Sequence, residues 1–449
     1  MGSGGRPRFK VPIQVHVLEV RLPMKRAPHI LFISGSVGLG HVTRDLAIAS
    51  ALRARCPDLR LLWLAGDPAR QVLLEAGEVL APESGHFGGE TEFAETLAEG
   101  FKLSLTNPLA VLKSPRALRG ACGLRRHQKR NLRLFRELIG REHFDLVVGD
   151  EIFDLMVAFA FRPALRPAPL ATIVDFVGLD TPSRNPLEWV WVQVLIWSMA
   201  WVLRRLPRVS DLTLMVGEEE DVADRPMGLF LPNRREWARA VLKFVGYVCP
   251  FDPAGYQDRA RLRQRLGYGP EPLVICAIGG TAIGRGLLEL CGRAYPLLKE
   301  RSPALRMILV CGPRLKPKTI GVPDGVDRKG FVPRLYEHFA ACDLAIVQGG
   351  GTTTLELTAL RRPFLYFPLE AHFEQRSHVA GRIERHGAGG RLEFKHTTPA
   401  ALAAAALAHL GAEPHYPPIA TDGAQRAAEH LTRLIEKTPD RGVSGAGLR

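Results

Sequence analysis

The run Gln348-Gly349-Gly350-Gly351-Thr352-Thr353-Thr354-Leu355-Glu356 has the composition of an anion site. It follows an apolar stretch, Asp343 to Val347, that reads as a strand, and it opens a helix. Glycines let the backbone approach a phosphate closely, the first free N–H groups of the helix point at it, and the helix dipole favours its charge. Glu356, one turn into the helix, can accept hydrogen bonds from two vicinal hydroxyls, as an acidic residue does with ribose in dinucleotide-binding folds. Phosphate and ribose together describe a nucleotide. The plain alternative is a tight turn that packs helix on sheet.

The residues downstream support the nucleotide reading. Arg362-Pro363-Phe364-Leu365-Tyr366-Phe367-Pro368 reads as the next buried strand, and Glu370-Ala371-His372-Phe373-Glu374-Gln375-Arg376-Ser377-His378 follows it. The stretch from Gln348 to Gly389 resembles the donor-binding signature shared by UDP-sugar glycosyltransferases and the C-terminal domain of glycosyltransferase family 28. That family includes the peptidoglycan N-acetylglucosaminyl transferase and the plastid galactolipid synthases. The resemblance implies that Gly350, Gly351, Thr352 and Thr353 hold the diphosphate, Glu356 the ribose, and Glu374 with Gln375 the hexose hydroxyls. It also sets Phe331 and Val332, ahead of a helix from Pro333 to Ala341, where relatives hold the base through backbone groups. Two positions depart from the common pattern: Gln348 stands where many relatives have His or Ser, and Glu374 where many have Asp.

A second glycine-rich loop, Gly35-Ser36-Val37-Gly38-Leu39-Gly40-His41-Val42-Thr43-Arg44, comes directly after the first strand. The helix it opens places Val42, Leu46, Ala49 and Leu52 on one face, leaving His41 free to face a cleft. The loop resembles the Gly-x-Gly-His segment of the same family, so Gly38, Gly40 and Arg44 are expected in the acceptor loop. Transfer of a sugar removes a proton from an acceptor hydroxyl, and an imidazole that titrates near neutrality suits that step. His41 is therefore the expected general base; its alternatives are a helix cap or a packing role. Asp150 and Glu151 follow the strand Asp145 to Val148, at the carboxyl end where ligands collect in open α/β sheets, and one of them could orient His41 or help bind the acceptor. Ordinary strand-end or capping roles stay open for both. Asp175, after the strand Leu170 to Val174, is a similar candidate.

Gly279-Gly280-Thr281-Ala282-Ile283-Gly284 follows another strand, and its backbone N–H groups can reach a diphosphate and stabilise charge on the leaving nucleotide. No Asp-x-Asp motif occurs. Neither a metal nor another cofactor is expected, and helix dipoles take the place of a cation.

These loops need a scaffold. A chain of 449 residues, 46% hydrophobic and 24% charged, is long enough for two cores. His29 to Ser34, Leu59 to Ala65, Asp145 to Val148, Leu170 to Val174 and Leu212 to Val216 are short apolar runs separated by helical periodicity. So are Leu273 to Ile278, Met307 to Cys311, Val326 to Phe331, Leu344 to Val347 and Phe364 to Phe367. Such runs mark parallel sheets covered on both faces. The expected class is α/β: GT-B, with two facing Rossmann-like doubly wound domains and an interdomain cleft. Residues 24–245 form the acceptor domain and 246–412 the donor domain. Residues 1–23 read as an extension or an upstream run before the true start at Met24. Residues 413–449 read as a helix that crosses back to the first domain, then a disordered tail from Thr438.

The net charge of +14 argues for an anionic partner. Seven scattered cysteines without a C-x-x-C pair fit a reducing cytosol and no structural zinc. The start has no uninterrupted apolar core of a secretory signal. Between Lys113 and Arg136 the chain carries Arg116, Arg119, Arg125, Arg126, Lys129, Arg130 and Arg133 with almost no acid. Leu187 to Leu203 is apolar with Trp189, Trp191, Trp197 and Trp201, and is shorter than the roughly 20 residues that span a bilayer. Tryptophans prefer the headgroup zone and arginines bind anionic lipid. Peripheral contact with the inner face of an anionic membrane is one reading, a core helix beside a solvated basic helix the other. The basic run lacks interleaved aromatics, which ranks nucleic acid low.

The sequence thus describes an inverting, metal-independent hexosyltransferase that takes a nucleotide-diphosphate sugar, UDP-linked, to a hydroxyl acceptor, lipid-linked in one version. The alternatives are a nucleotide-sugar hydrolase, for which water replaces the acceptor, and a non-catalytic sugar-nucleotide-binding subunit.

Overall fold

Alternating strand and helix elements build two parallel sheets in the computed structural model, which describes residues 27–35, 39–88, 115–178, 186–280, 282–369 and 374–437. The first sheet holds β1 (His29–Ile33), β2 (Arg60–Leu64), β3 (Leu146–Asp150), β4 (Leu170–Val174), β5 (Leu212–Val216) and β6 (Lys243–Gly246), in the order β2-β1-β3-β4-β5-β6. The second holds β7 (Leu273–Ala277), β8 (Arg306–Val310), β9 (Val326–Lys329), β10 (Leu344–Gln348), β11 (Phe364–Phe367) and β12 (Gly390–Arg391), in the order β12-β11-β10-β7-β8-β9. Every pairing is parallel, as between Ile33 and Leu64 or Val347 and Ala277. The central strands β3, β4, β7 and β10 are buried at every residue, which is why they read as continuous apolar runs.

The helices are α1 (Leu39–Arg55), α2 (Ala69–Glu75), α3 (Pro115–Arg141), α4 (Phe153–Phe161), α5 (Pro186–Val209) and α6 (Arg234–Val241) in the first domain. The second has α7 (Arg259–Leu266), α8 (Arg285–Arg301), α9 (Leu335–Ala341), α10 (Gly351–Ala359), α11 (Ala380–His386) and α12 (Pro399–His409). A final helix, α13 (Gly423–Lys437), lies on α1: Ala424, Ala427, Ala428, Leu431 and Ile435 join Ile48, Ala49 and Leu52 in one core.

Strand order explains where the chemistry collects. Each sheet reverses its winding once, between β1 and β3 in the first and between β7 and β10 in the second. The carboxyl ends of strands at such a switch point leave a crevice for ligands. The segments that follow β1, β3, β7 and β10 bring His41 in the first turn of α1, Glu151, Gly279 and Gly351 at the start of α10 to this edge.

Three details differ from the sequence expectation. The strand expected to stop at Val148 runs on to Asp150, so Asp150 is a buried strand residue rather than a loop residue. The strand expected through Phe331 stops at Lys329, before Gly330 and the ring of Pro333. Edge strands β6 and β12 had no signal, because they are short and begin with Lys243 and Gly390. The expected extension 1–23 and the tail from Thr438 lie outside the described residues.

Candidate active site

His41 is the third residue of α1, and its Nδ1 lies 3.1 Å from Asp150 Oδ2 at the end of β3. Arg44, nearly one turn on, donates through Nη2 to Asp150 Oδ1 at 2.6 Å, and through Nη1 to Asp175 Oδ2 at 2.8 Å. Its Nη2 also lies 2.7 Å from His41 Nδ1. A guanidinium N–H only donates and a carboxylate only accepts, so the two neighbours of Nδ1 favour opposite tautomers. Burial and the Arg44 charge push the His41 pKa down while Asp150 and Asp175 push it up, and the balance is upward. In the tautomer with Nδ1–H donating to Asp150, Nε2 is the nitrogen left to act as a base.

The charges around His41 form a nearly closed account. Burial raises Asp150, but Arg44 and His41 outweigh it and hold Asp150 below the usual carboxylate range. Asp175 is likewise held low, burial being outweighed by Arg44 and His41. Burial, then Asp150, push Asp45 well up, and its carboxyl also accepts from Ser34 Oγ at 2.5 Å. Burial, then Asp175, push Glu151 well up. Two carboxylates therefore face Arg44, and the one negative charge left over is matched when His41 takes up a proton.

His41, Glu151 and Asp175 bring one ligand atom each within 4.8 Å of one another, a donor set that a divalent cation could use. Arg44 already neutralises Asp175 in that group.

Across the cleft, Gly350 caps α10, and the first intrahelical bond runs from Thr354 N to Gly350 O at 3.1 Å. The N–H groups of Gly351, Thr352 and Thr353 thus have no intrahelical acceptor, which makes an anion site of the helix end. Arg382 on α11 adds a cation there, donating to Gly351 O at 2.6 Å. Glu356 is buried, and burial alone lifts its pKa to about 8. Among the described residues its carboxyl has no hydrogen bond or ion pair. Gln375 is buried with its carbonyl accepting from Leu369 N at 2.9 Å, which leaves its amide N–H groups and one oxygen lone pair for a ligand.

The two halves touch. A Cβ added to Gly280 would lie 3.4 Å from Leu39 N, and one added to Gly40 would lie 2.0 Å from Thr352 Oγ1. The N-termini of α1 and α10 therefore converge. Burial and then Asp175 raise Glu374 to about 7, which puts this donor-side carboxyl in the field of the His41 cluster. Further along the cleft, Arg385 on α11 donates to Glu218 Oε2 at 2.8 Å and to Asp221 Oδ1 at 2.7 Å, bridging the domains.

Of the residues expected at the site, His41, Asp150 and Arg44 meet on one side, and Gly350, Gly351, Thr352, Thr353 and Glu356 lie along one helix start on the other. Gly279, at φ +74°, ends the β7 turn beside Gly280. Phe331 and Val332 follow β9, with Phe331 exposed. Arg44 is committed to Asp150 and Asp175 rather than directed at an acceptor. Gly38 and Thr281 lie outside the described residues. Arg382 was not anticipated, since a lone arginine inside a helix gives no local signal. The partnership of His41 with Asp150 rather than Glu151, the two carboxylates the strand end offered, spans 109 residues and is set by the fold.

Comparison with known proteins agrees with this geometry. Residues 274–436 match the glycosyltransferase family 28 C-terminal domain. The second domain is of the family 28 C-terminal type, and the chain is a glycosyltransferase with the GT-B fold. An uncharacterized glycosyltransferase of Methanosarcina mazei is 28% identical over 403 residues, covering 86% of this chain and 91% of that protein. The UDP-N-acetylglucosamine–N-acetylmuramyl-(pentapeptide) pyrophosphoryl-undecaprenol N-acetylglucosamine transferase of Carboxydothermus hydrogenoformans is 30% identical over 136 residues, which span 29% of this chain and 36% of that protein. The aligned region is thus about a third of that relative's length. Among solved structures, the glycosyltransferase of kitacinnamycin superposes with a TM-score of 0.55 at 15% identity, covering 92% of this chain and 95% of that one. The calicheamicin glycosyltransferase gives 0.50 at 18% identity, covering 92% and 95%. At these identities the likeness is one of fold, and it is the two-domain GT-B fold.

Proposed function

We propose that this glycosyltransferase moves a hexosyl group from a UDP-sugar to a hydroxyl of a lipid-linked or lipid-like acceptor, with inversion, His41 serving as general base. The observation that carries the reading is the pairing of His41 Nδ1 with Asp150, which leaves Nε2 on the other side of the ring, 3.7 Å from Glu151 Oε2. The acceptor O–H gives its proton to Nε2 as its oxygen bonds to the anomeric carbon. The bond from that carbon to the diphosphate breaks, and the electron pair leaves with UDP. Asp150 and Asp175 stabilise the imidazolium that forms. The free N–H groups at the start of α10, with Arg382, stabilise the charge that grows on the leaving diphosphate. UDP is favoured because the name of the Carboxydothermus relative specifies a UDP-sugar.

The lipid-like acceptor rests on the outer face of the first domain. α4 packs between the basic helix α3 and the tryptophan-rich α5. Phe161, Trp189, Val190, Val194, Trp197 and Leu229 are exposed there, and Phe230 is 85% exposed. Trp197 Nε1 donates to Leu229 O at 3.0 Å, and Leu229 N donates to Gln193 Oε1 at 2.9 Å, which pins the loop that presents Phe230. Arg126, Lys129, Arg133, Arg204 and Arg208 are exposed on the same three-helix layer. An apolar centre beside cations suits an anionic bilayer surface, such as the inner face of a cell membrane. Among the described residues no helix is long and apolar enough to cross a membrane.

The test is to find which UDP-hexose raises the melting temperature most, then to follow UDP release from it with and without lipid extract in detergent. UDP release that needs the lipid, with the sugar recovered on lipid in inverted configuration, supports the reading. Free sugar formed at the same rate without lipid identifies a hydrolase instead.

A further inference from the structure

The chain passes between the domains after β6, at Tyr247, and again ahead of α13, and the two passages are tied together. Val248 and Asp422 form a β-bridge, and Gly423 N donates to Tyr247 O at 2.9 Å. Such a crossing is a hinge, which joins the domains at one place and leaves their angle to the side chains that meet beside it.

One nitrogen there holds three segments. Arg385 Nη2 on α11 lies 2.7 Å from Asp221 Oδ1, 2.8 Å from Glu218 Oε2 and 2.6 Å from the Tyr247 hydroxyl, so donor domain, acceptor domain and linker meet at a single atom. His386 Nε2 lies 3.2 Å from the same guanidinium, which only donates; Nε2 therefore accepts, and the Tyr247 hydroxyl donates to it at 2.8 Å. Asp221 is buried, and its Oδ2 accepts from Glu218 N at 2.8 Å, which fixes the carboxylate that receives Arg385. A buried carboxylate whose cation is removed is left uncompensated, so this contact resists opening.

The same helix reaches the donor side. Arg382, three residues earlier, donates to Gly351 O at 2.6 Å at the α10 start, and its guanidinium carbon stands 5.8 Å from the centre of the Tyr247 ring. Two arginines on one helix move together. We infer that Arg385 is a positioning residue for the transfer: by clamping α11 to Asp221 and Tyr247 it fixes the domain angle at which the α10 start faces His41, and through Arg382 it couples that angle to binding of the donor diphosphate. This rests on the assignment of the diphosphate to the α10 start. Coupling of this kind is reciprocal, so a bound nucleotide should in turn favour the clamped angle.

The test reads the angle and the reaction separately. Spin labels on cysteines placed at exposed Glu75 of α2 and Arg301 of α8, with Cys122 changed to Ser and the other six cysteines buried, report the interdomain distance by electron–electron resonance with and without UDP. The wild type should give one narrow distribution. Arg385→Gln should broaden it, and UDP should narrow it again in part. Turnover, followed as UDP release with the donor and lipid extract of the preceding section, should fall roughly tenfold or more at saturating donor, since small misplacements of reacting groups cost rate on that scale, while UDP affinity stays within about threefold. Asp221→Asn, which keeps the shape of the acceptor, should act in the same way, and the double variant should be little worse than either single one, because both remove one contact. Arg385→Lys, which keeps the charge, should restore part of the turnover and narrow the distances. A folded Arg385→Gln protein with wild-type distances and turnover, a loss of melting temperature alone, or effects of the two substitutions that add would overturn the inference. Should Asp221→Asn fail to fold, the distances in Arg385→Gln and Arg385→Lys decide. They also decide if the extract supports no transfer, because the distances need no acceptor.

Discussion

Gly40 and Thr352 touch across the interdomain cleft: a Cβ on Gly40 would sit 2.0 Å from Thr352 Oγ1 and 2.9 Å from its Cβ. No side chain fits there unless Thr352 gives way. Gly40→Ala should therefore displace Thr352 at the α10 start and weaken UDP binding, whereas pairing it with Thr352→Gly should restore much of the loss. Calorimetric titration of the two single variants and the double variant measures the coupling. An interaction energy near zero would mean that the domains part freely here, since residues in contact usually couple by about 0.5–3 kcal/mol.

The His41 and Asp150 variants should differ in kind. His41→Ala removes the base and should cut turnover by roughly 10²–10⁴ while leaving UDP affinity nearly intact. Asp150 also receives Arg44, and it is fully buried. Asp150→Asn should thus cost stability as well as turnover, on the order of 3–5 kcal/mol where a buried pair is broken. Single-turnover rates beside denaturant melts separate the two effects. Wild-type turnover in His41→Ala would make the histidine structural.

The sheets and both glycine loops were legible because burial on both faces forces continuous apolar runs, and a strand that feeds a helix through glycines leaves a local pattern. His41 was legible for the same reason, as the loop that presents it is local. The environment of His41 was not. Asp175 and Glu151 acquire meaning only because parallel pairing sets β1, β3 and β4 side by side, so that their carboxyl ends share one crevice. Arg44 was expected in the acceptor loop, yet it is buried between two carboxylates. A helix-face pattern at α1 marks Val42 and Leu52 as core but cannot tell which polar residues turn inward at the N-terminus.

Glu356 sets a pH dependence whose sign can be stated. Burial raises its pKa from 4.5 to about 8 in the folded protein. Between those values the unfolded chain gives up a proton that the folded chain keeps, so stability falls as pH rises through the window and is level on either side. Each pH unit inside it is worth up to roughly 1.4 kcal/mol. Glu356→Gln removes the titration. Its stability relative to wild type should therefore increase from pH 5 to pH 8 in denaturant melts without nucleotide, while its UDP affinity drops about ten- to a hundredfold. A stability difference that stays constant over that range would mean that Glu356 does not carry the raised pKa, and an unchanged UDP affinity in the folded variant would remove it from the ribose site.

Membrane docking has two separable parts. Exposed Trp197 and Phe230 supply apolar burial that salt does not screen, whereas arginines near an anionic surface add about 1 kcal/mol each and fade as ionic strength rises. Sedimentation with vesicles of phosphatidylglycerol and phosphatidylcholine should recover the protein in the pellet, and phosphatidylcholine alone should recover less. High salt should lower the recovery without abolishing it. Phe230→Ser should reduce binding at both salt concentrations, because Phe230 is 85% exposed and its loss costs the fold little. Trp197→Ser should reduce it further by releasing Leu229 from its hydrogen bond. Equal recovery in the supernatant with and without anionic vesicles would end the membrane reading. In that case the same apolar surface would have to serve a soluble hydrophobic acceptor, and Phe230→Ser should alter the KM for that acceptor while leaving the UDP-sugar KM unchanged.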